Sequence, residues 1–260
     1  CFTLRYSWKS SIINHNMKKL IQHHTIPCYD TDASWRLKPA SFMNLAQEAA
    51  GQHAVHLGFG YDDLIVTNTA WILSRVHIEF VDTPKWRDDV TLTTWHKGLD
   101  RLFYIRDFVM TDKEGNARVK ATTSWLVLNL ETRRLVRDPD LMEEGTVCTE
   151  NVIETPADKV VMPKDVEAEH VMDHMVAYSD VDMLGHTNNA MYMQWAMDAV
   201  DYVTASSMPV RQVTINFNHE TKAGDCVSIY RASVRKEDGI HVYVEGKVDG
   251  TSSFTVEIVF

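Results

Sequence analysis

The sequence predicts an α+β protein made of two similar units, each with one helix packed against a mostly antiparallel sheet. Three observations support this fold class. A short polar motif that precedes a helix occurs twice, strands rich in Val, Ile, Thr, Trp and Phe follow each copy, and 45% of the residues are hydrophobic. One helix followed by several alternating strands is typical of an α+β unit.

The elements are predicted in the same order in both halves. In the first half we expect an extended segment over 18–30, a helix over 40–57 and strands over 70–81, 89–97, 102–111 and 117–130. In the second half we expect an extended segment over 167–179, a helix over 190–204 and strands over 210–219, 225–236, 240–248 and 251–260. Residues 131–166 contain three prolines and are predicted to connect the halves.

These elements divide the chain into three parts. We expect an N-terminal extension over 1–17, a first unit over 18–150 and a second unit over 151–260. The extension shows no apolar core of signal-peptide length, and no run in the chain approaches the roughly 18 apolar residues of a membrane helix.

The second copy of the motif is the more informative one, and it reads Y-S-D-V-D-M-L-G-H-T-N-N-A-M-Y over residues 178–192. Helix capping would explain one or two of its six Asp, Gly, His and Asn residues, but not all of them. Asp182 lies four residues before His186, and Gly185 permits the tight turn that would bring them together. Because a helix start offers unpaired N–H groups, the motif predicts an acid/base site beside an anion-binding position.

The first copy has lost the histidine. Asp32 aligns with Asp182, but Arg36 stands in the place of His186. The match continues into the next strands, where V-H-I-E-F aligns with V-T-I-N-F. Duplication of one ancestral unit is the simplest explanation, and chance similarity between two helix-plus-strand segments is the alternative.

Charge and metal-ligand spacing exclude several classes of protein. The net charge of −10 argues against a general nucleic-acid binder. The four cysteines are widely spaced without zinc-site spacing, which favours reduced thiols in a cytoplasm. His170 and His174 fall in a predicted strand with no third ligand, so no metal site is predicted.

Motif, duplication and strand order together resemble the acyl-acyl-carrier-protein (acyl-ACP) thioesterases. The resemblance covers residues 20–260. It is carried by W-I-L-S-R-V-H-I-E-F and A-T-T-S-W-L-V-L-N-L-E-T-R-R-L in the first half, and by D-M-L-G-H-T-N-N-A-M-Y and V-T-I-N-F-N-H-E in the second. It implies two tandem hotdog units, each an antiparallel sheet wrapped around a long helix.

The resemblance also implies an activity. A protein of this family would hydrolyse the thioester of fatty acyl-ACP to free fatty acid and carrier protein in fatty acid biosynthesis, without a cofactor. The family's catalytic residues fall on Asp182, His186 and Glu220. Asp182 would act as general base or as nucleophile, His186 would position Asp182 or the water and protonate the leaving thiolate, and Glu220 would orient His186 or the water.

Other positions carry expectations of their own. Backbone N–H groups around Gly185, with the side chain of Asn188, would stabilise the oxyanion. Leu184 stands where the family usually has an asparagine, which shifts that role to a backbone group or to a neighbouring threonine. Thr221 stands where plant relatives have a cysteine, and Cys226 is expected to be a small core residue, so a cysteine mechanism is disfavoured.

The first unit is expected to bind the acyl chain rather than catalyse. Core packing is the default interpretation of its large residues, and a lining of the acyl tunnel is the sharper one. The residues concerned are Trp71, Trp86, Trp95, Trp125 and the methionines around Met43.

The predicted partner is the acidic acyl carrier protein, so docking on this acidic chain needs a local basic patch. Arg133, Arg134 and Arg137 could form it, and a solvated turn is the alternative. No nucleic acid or membrane insertion is expected, and a homodimer is left open. The competing functions are an acyl-CoA thioesterase and a non-catalytic acyl-binding regulator.

Overall fold

The structure is a computed structural model that describes residues 18–138, 141–142 and 144–260. The predicted extension over 1–17 lies outside the described residues. The first unit contains β1 (Leu20–Thr25), α1 (Pro39–His56), α2 (Tyr61–Val66), β2 (Thr69–Phe80), β3 (Asp89–Asp100), β4 (Phe103–Thr111), β5 (Ala117–Asn129) and β6 (Leu135–Val136). The second contains β7 (Glu169–Met175), α3 (Asn189–Asp198), α4 (Tyr202–Ser207), β8 (Gln212–Phe217), β9 (Cys226–Lys236), β10 (Gly239–Val248) and β11 (Thr251–Val259).

The two units contribute to one continuous antiparallel sheet. Its strand order is β1-β3-β4-β5-β2-β8-β11-β10-β9-β7, and the short β6 pairs with β5 beside this path. Five strands of the first unit are therefore followed by five of the second in mirrored order. This confirms the predicted α+β fold of two tandem hotdog units.

The units meet where β2 pairs with β8. Val76 lies opposite Ile215, and Ile78 lies opposite Val213. All four side chains are buried in a core that also contains residues of both long helices, and α1 packs against α3. The hydrophobic core is therefore shared between the units, because burial across the seam removes apolar surface of both from water.

The second-unit helix is shorter than predicted. The apolar pattern predicts one helix over 190–204, whereas α3 ends at Asp198 and α4 begins at Tyr202. Asp201 lies at the break, because its backbone is non-helical, with a ψ of 129°, and its carboxylate accepts the N–H of Thr204 as the N-cap of α4. The six-residue α2 and the two-residue β6 are also not predicted, since such short elements lack a readable period.

The connection between the units is packed against the sheet. The Trp95 indole donates to the carbonyl of Glu150 at 3.0 Å. Asn216 in β8 accepts the N–H of Val160 at 2.6 Å and donates to the carbonyl of Asp158 at 3.0 Å. These side-chain bonds hold residues 150–160, which lie outside the helices and strands, against β3 of the first unit and β8 of the second.

None of the helices in the described part of the chain is long and apolar enough to cross a membrane.

The thiols of Cys28, Cys148 and Cys226 are free. Cys226 is exposed, so its prediction as a core residue is wrong, because the first residue of β9 pairs at the sheet rim with Met175 of the edge strand β7.

Candidate active site

The predicted tight turn forms at the start of α3. The N–H of Asp182 donates to the carbonyl of His186 at 2.9 Å, and the N–H of Gly185 donates back to the carbonyl of Asp182 at 3.0 Å. Gly185 has a φ of +80°, a left-handed conformation that glycine adopts without steric cost. The turn therefore brings Asp182 and His186 to the same side of the helix start.

Three sequence-predicted residues line one cavity. Asp182 is half-buried, and its Oδ1 accepts the N–H of Leu184 at 2.8 Å. The Nε2 of His186 lies 3.6 Å from the Oε2 of Glu220, which follows β8. A fourth residue from the first unit joins them, because Arg133 Nη2 donates to the same Glu220 oxygen at 3.2 Å. All of these residues line the cavity.

Asn188 is occupied by the helix. Its Oδ1 accepts the N–H of Ala190 at 2.9 Å as the N-cap of α3, and also accepts from the amide of Gln47 in α1 at 3.0 Å. Its neighbour Asn189 is the first residue of α3 and lines the cavity. The first N–H groups of a helix have no acceptor within the helix. A free backbone donor at a helix start is suited to hold a developing oxyanion.

Thr221 is enclosed in a hydroxyl network. Its Oγ1 lies 2.6 Å from that of Thr187 and 3.0 Å from the Tyr192 hydroxyl, and its N–H donates to Tyr192 at 3.0 Å. Burial raises the pKa of the Tyr192 hydroxyl above its usual value. These neutral hydroxyls fix the floor of the site, and they leave Thr221 no free position from which to attack a substrate.

The cavity has a volume of about 480 Å³ and combines a polar mouth with an apolar interior. The mouth holds the half-exposed His186 and Glu220, whereas the interior is lined mainly by apolar and aromatic side chains of the first unit. These include Phe59, Trp71, Leu73, Tyr104, Ile105 and Trp125. A mainly apolar cavity with a few convergent polar groups is the usual form of a ligand site.

The four tryptophans named in the sequence have different locations. Trp71 and Trp125 line the cavity. Trp95 is buried in the core, and Trp86 packs edge-on against Trp35 away from the cavity. Met43 is a core residue of α1 that does not line the cavity. The tunnel interpretation therefore fits Trp71 and Trp125, and core packing fits Trp95 and Met43. Neither interpretation fits Trp86, which is only partly buried.

Two polar side chains of the first unit, His96 and Arg106, also line the cavity. Arg106 is 5% exposed, and its Nη1 contacts His53 Nδ1 at 2.9 Å and Thr94 Oγ1 at 3.2 Å. His96 lies beside them, with its Nε2 2.9 Å from Thr146 Oγ1. Burial and the positive charge of Arg106 lower the pKa of His96 to about 3, so this imidazole is neutral at physiological pH. Burial lowers the pKa of Arg106 to about 9, and the guanidinium keeps its charge at neutral pH.

The first-unit copy of the motif folds into the same turn with different side-chain partners. The N–H of Asp32 donates to the carbonyl of Arg36 at 2.8 Å, as in the second copy. Trp35 takes the glycine position with a φ of +66°. The Arg36 Nε donates to Asp32 at 3.0 Å, and its Nη2 donates to the carbonyls of Ala205 and Ser206. The aspartate that would serve as a base is therefore neutralised by an ion pair.

This first copy lines a different cavity. The cavity has a volume of about 360 Å³ and lies between the first-unit motif and residues of α3 and α4, including Met197 and Tyr202. The larger cavity likewise joins the second-unit motif to residues of α1, including Gln47 and Ala54. The molecule thus contains two cavities related by the repeat, and only the larger one carries the aspartate–histidine pair.

The remaining histidines of interest bind carboxylates. His170 Nε2 lies 2.9 Å from Asp173, and His174 Nε2 lies 2.9 Å from the buried Asp180. No group of three or more metal-ligating side chains is arranged to hold a metal ion within the described ranges.

Several site residues were missed in the sequence. The sequence predicts Arg133 as part of a docking patch and Asn189 only as part of the polar motif, so it does not predict that either residue lines the cavity. His96 and Arg106 lie in strands β3 and β4, where the sequence shows polar residues but not which cavity they reach. The register of the sheet decides that both residues reach the same cavity, because His96 in β3 is paired directly with Arg106 in β4.

Fold and site define the class of this protein as a tandem hotdog with one intact polar site at the mouth of an apolar cavity. Two family models match its sequence. The acyl-ACP thioesterase N-terminal domain matches residues 17–144, and the acyl-ACP thioesterase C-terminal domain matches residues 163–260. The chain belongs to the acyl-ACP thioesterase family.

Similar proteins come from plants and bacteria. The chain is 26% identical over 235 residues to oleoyl-acyl carrier protein thioesterase 2, chloroplastic, of Arabidopsis thaliana, covering 83% of this chain and 62% of that protein. It is 26% identical over 211 residues to a palmitoyl-acyl carrier protein thioesterase, chloroplastic, of Gossypium hirsutum, covering 76% and 51%. The chain thus spans between half and two thirds of the length of these relatives.

Two solved structures share the fold. An acyl-ACP thioesterase from Bacteroides thetaiotaomicron is 25% identical with a TM-score of 0.83, covering 95% of this chain and 99% of that one. The 12:0-ACP thioesterase from Umbellularia californica has a TM-score of 0.84 at 20% identity, covering 93% of each chain. The second likeness concerns the fold alone.

Proposed function

We propose that this chain hydrolyses the thioester of fatty acyl-ACP, releasing free fatty acid and carrier protein in fatty acid biosynthesis. The observation that carries the proposal is the convergence of Asp182, His186 and Glu220 at the mouth of one apolar cavity. The cavity accepts an alkyl chain, and the polar mouth meets the thioester at its end. Family membership supports the same reaction.

Each residue has a defined role in the proposed reaction. Asp182 either removes a proton from the attacking water or attacks the carbonyl carbon itself, in which case water then hydrolyses the acyl-enzyme. The carbon–sulfur bond breaks, and His186 supplies the proton that the leaving thiolate takes up. Glu220 orients His186, since its carboxylate lies 3.6 Å from the imidazole. The Asn189 N–H stabilises the oxyanion, Gly185 shapes the turn, and Asn188 fixes the helix start.

The two units divide the work. We assign catalysis to the second unit, over 151–260, and binding of the acyl chain to the first, over 18–150. The ion pair between Asp32 and Arg36 supports an inactive first copy, and the first-unit side chains in the cavity support its binding role.

The activity test offers purified protein a panel of acyl-ACPs and acyl-CoAs and measures thiol release. Faster release from acyl-ACP than from acyl-CoA of the same chain supports the proposal. Release from acyl-CoA alone would identify an acyl-CoA thioesterase instead. Acyl binding without release would identify a non-catalytic acyl-binding protein.

Carrier docking is proposed at Arg134 and Arg137. Both are exposed next to the cavity residue Leu135, and neither has an ion pair within the described part of the chain. Arg133 was expected to belong to the same patch, but its guanidinium binds Glu220. A positive surface beside the cavity would attract an acidic carrier, because opposite charges guide association.

The docking test uses a double variant with Arg134→Glu and Arg137→Glu. We expect KM for acyl-ACP to rise and the rate on a small acyl thioester to stay unchanged, and added salt should weaken only the carrier-linked reaction. The control variant reverses two exposed charges of the second unit, Lys159 and Arg235. An equal KM in both variants would leave Arg134 and Arg137 without a docking role.

The cellular setting and assembly also belong to the proposal. The free thiols of Cys28, Cys148 and Cys226 support a reducing compartment such as the cytoplasm. A homodimer is tested by light scattering coupled to size-exclusion chromatography, where a mass near 30 kDa would contradict it.

A further inference from the structure

The first unit extends one charged side chain into the polar mouth of the second. Arg133 lies in the turn between β5 and β6, outside the second-unit motif. Its Nη2 lies 3.2 Å from Glu220 Oε2, and this same oxygen lies 3.6 Å from His186 Nε2. One carboxylate oxygen therefore stands between a guanidinium and an imidazole, and all three side chains line the cavity.

The backbone of this turn is held by Asn129. Its side-chain oxygen accepts the N–H groups of Glu131 and Thr132, and its carbonyl accepts the N–H of Arg133 at 2.9 Å. Arg133 adopts a left-handed φ of +55°, which is uncommon for a residue other than glycine. Hydrogen bonds to Asn129 hold this conformation, so the first unit sets the direction of the Arg133 Cα–Cβ bond.

The contact has little to do with folding stability. Arg133 and Glu220 are both substantially exposed, with 59% and 38% of their side-chain surface accessible. Exposed ion pairs contribute little to stability, because solvent screens them and side-chain order opposes them. The contact does matter for the orientation of the Glu220 carboxylate. A glutamate with two acceptor oxygens can rotate away from His186 unless a second donor fixes it. The guanidinium supplies that donor in a planar, directed form.

We propose that Arg133 is a positioning residue for the second-unit site, which holds Glu220 in the orientation that contacts His186. Glu220 then orients His186 toward the Asp182 side of the cavity. A side chain of the first unit thus completes the site of the second, although the first unit's own motif has Arg36 in place of the histidine. This inference rests on the proposed thioester hydrolysis.

The first experiment uses a small acyl thioester without a carrier protein, so that docking plays no part. Arg133→Met should lower kcat about 10-fold and leave KM within about 2-fold, because it disturbs orientation in the transition state rather than binding of the chain. Arg133→Lys should recover part of the lost kcat, since lysine keeps the charge but not the planar geometry. Arg235→Met, at an exposed arginine of β9 away from the cavity, is the matched control and should match wild type.

A double-mutant cycle then separates positioning from every other role. If Arg133 acts through Glu220, the variant with Arg133→Met and Glu220→Ala should be as slow as Glu220→Ala alone. Losses that multiply would overturn the inference, as would a change confined to KM. Thermal melting of each variant checks that the fold is intact.

The outcomes also distinguish this inference from the function on which it rests. Wild-type protein that releases no thiol from any acyl thioester would overturn both. Active wild-type protein with multiplying losses would overturn only the role of Arg133.

Discussion

Asp32 and Asp182 occupy equivalent turns but have different side-chain neighbours. Each donates its N–H to the carbonyl four residues later, at 2.8 and 2.9 Å. Asp32 is bound by the Arg36 guanidinium, whereas the Asp182 carboxylate faces the cavity that His186 and Glu220 also line. The two aspartates have the same backbone hydrogen bond, but only Asp32 is paired with a guanidinium. They are therefore a matched pair for a test of catalysis.

We expect Asp182→Asn to lower thioester hydrolysis by at least ~10²-fold, because the amide can act neither as base nor as nucleophile. Asp32→Asn should change turnover far less. The measurement is kcat on an acyl-ACP substrate, with circular dichroism to confirm folding. Equal losses in the two folded variants would refute the division of labour between the units.

Burial of His96 makes the folding stability depend on pH. Its pKa is lowered from 6.5 to about 3 by burial and by neighbouring positive charge. The unfolded chain therefore takes up this proton at a higher pH than the folded chain does. Stability from a neutral His96 is complete above pH 6.5 and is lost as the pH falls toward 3, with a limit on the order of 5 kcal/mol.

We predict that His96→Gln flattens the fall in unfolding free energy between about pH 6.5 and 4, because glutamine can still bond Thr146 but does not titrate. Urea denaturation at several pH values measures this slope. His56→Gln, at an exposed position of α1, should keep the wild-type slope. An unchanged slope in His96→Gln would show that other groups cause the acid sensitivity.

At the scale of elements, the two long helices begin differently. α3 has a side-chain N-cap from Asn188, which also binds Gln47 of α1. α1 begins after Lys38 with no side-chain cap and has Pro39 as its first residue, where the missing N–H costs nothing. The start of α3, beside the candidate site, is therefore the one that is fixed by hydrogen bonds to both units.

Asn188→Ala should lower the free energy of unfolding by about 1 kcal/mol, the usual effect of removing an N-cap. Lys38→Ala, at the equivalent position of α1, should stay within about 0.5 kcal/mol of wild type. Urea denaturation compares the two variants. A loss in Lys38→Ala as large as that in Asn188→Ala would contradict the capping explanation.

At the scale of the whole molecule, one sheet and one core join the units. The seam between β2 and β8 buries Ile78 and Val213 completely. The larger cavity takes its polar mouth mainly from the second unit and its apolar interior from the first. Residues of both units line this cavity, so neither unit forms it alone.

We predict a single unfolding transition for the chain. The tryptophans other than Trp195 lie in the first unit, apart from Trp8 in the N-terminal extension. Fluorescence of a variant with Trp8→Phe and Trp195→Phe therefore reports the first unit alone. Its midpoint should coincide with that of the far-UV circular dichroism of the same variant, since the shared core couples the units. Two separated midpoints would show that the units unfold independently.

The sequence by itself determined the repeat, the α+β class and the order of helices and main strands. These features depend on local period and turn chemistry, which neighbouring residues encode. The turn from Asp182 to His186 is also encoded locally, because it needs only these consecutive residues and the left-handed conformation of Gly185. The break between α3 and α4 escaped detection, since the apolar pattern continues through the capping residue Asp201.

Only the tertiary structure decided which distant side chains meet. Arg133 and Glu220 are 87 positions apart, and Gln47 and Asn188 are 141 apart. The pairing of β2 with β8 and the packing of α1 on α3 bring such residues together. Local sequence cannot specify these contacts, because they depend on how two separately encoded units bury their apolar faces against each other.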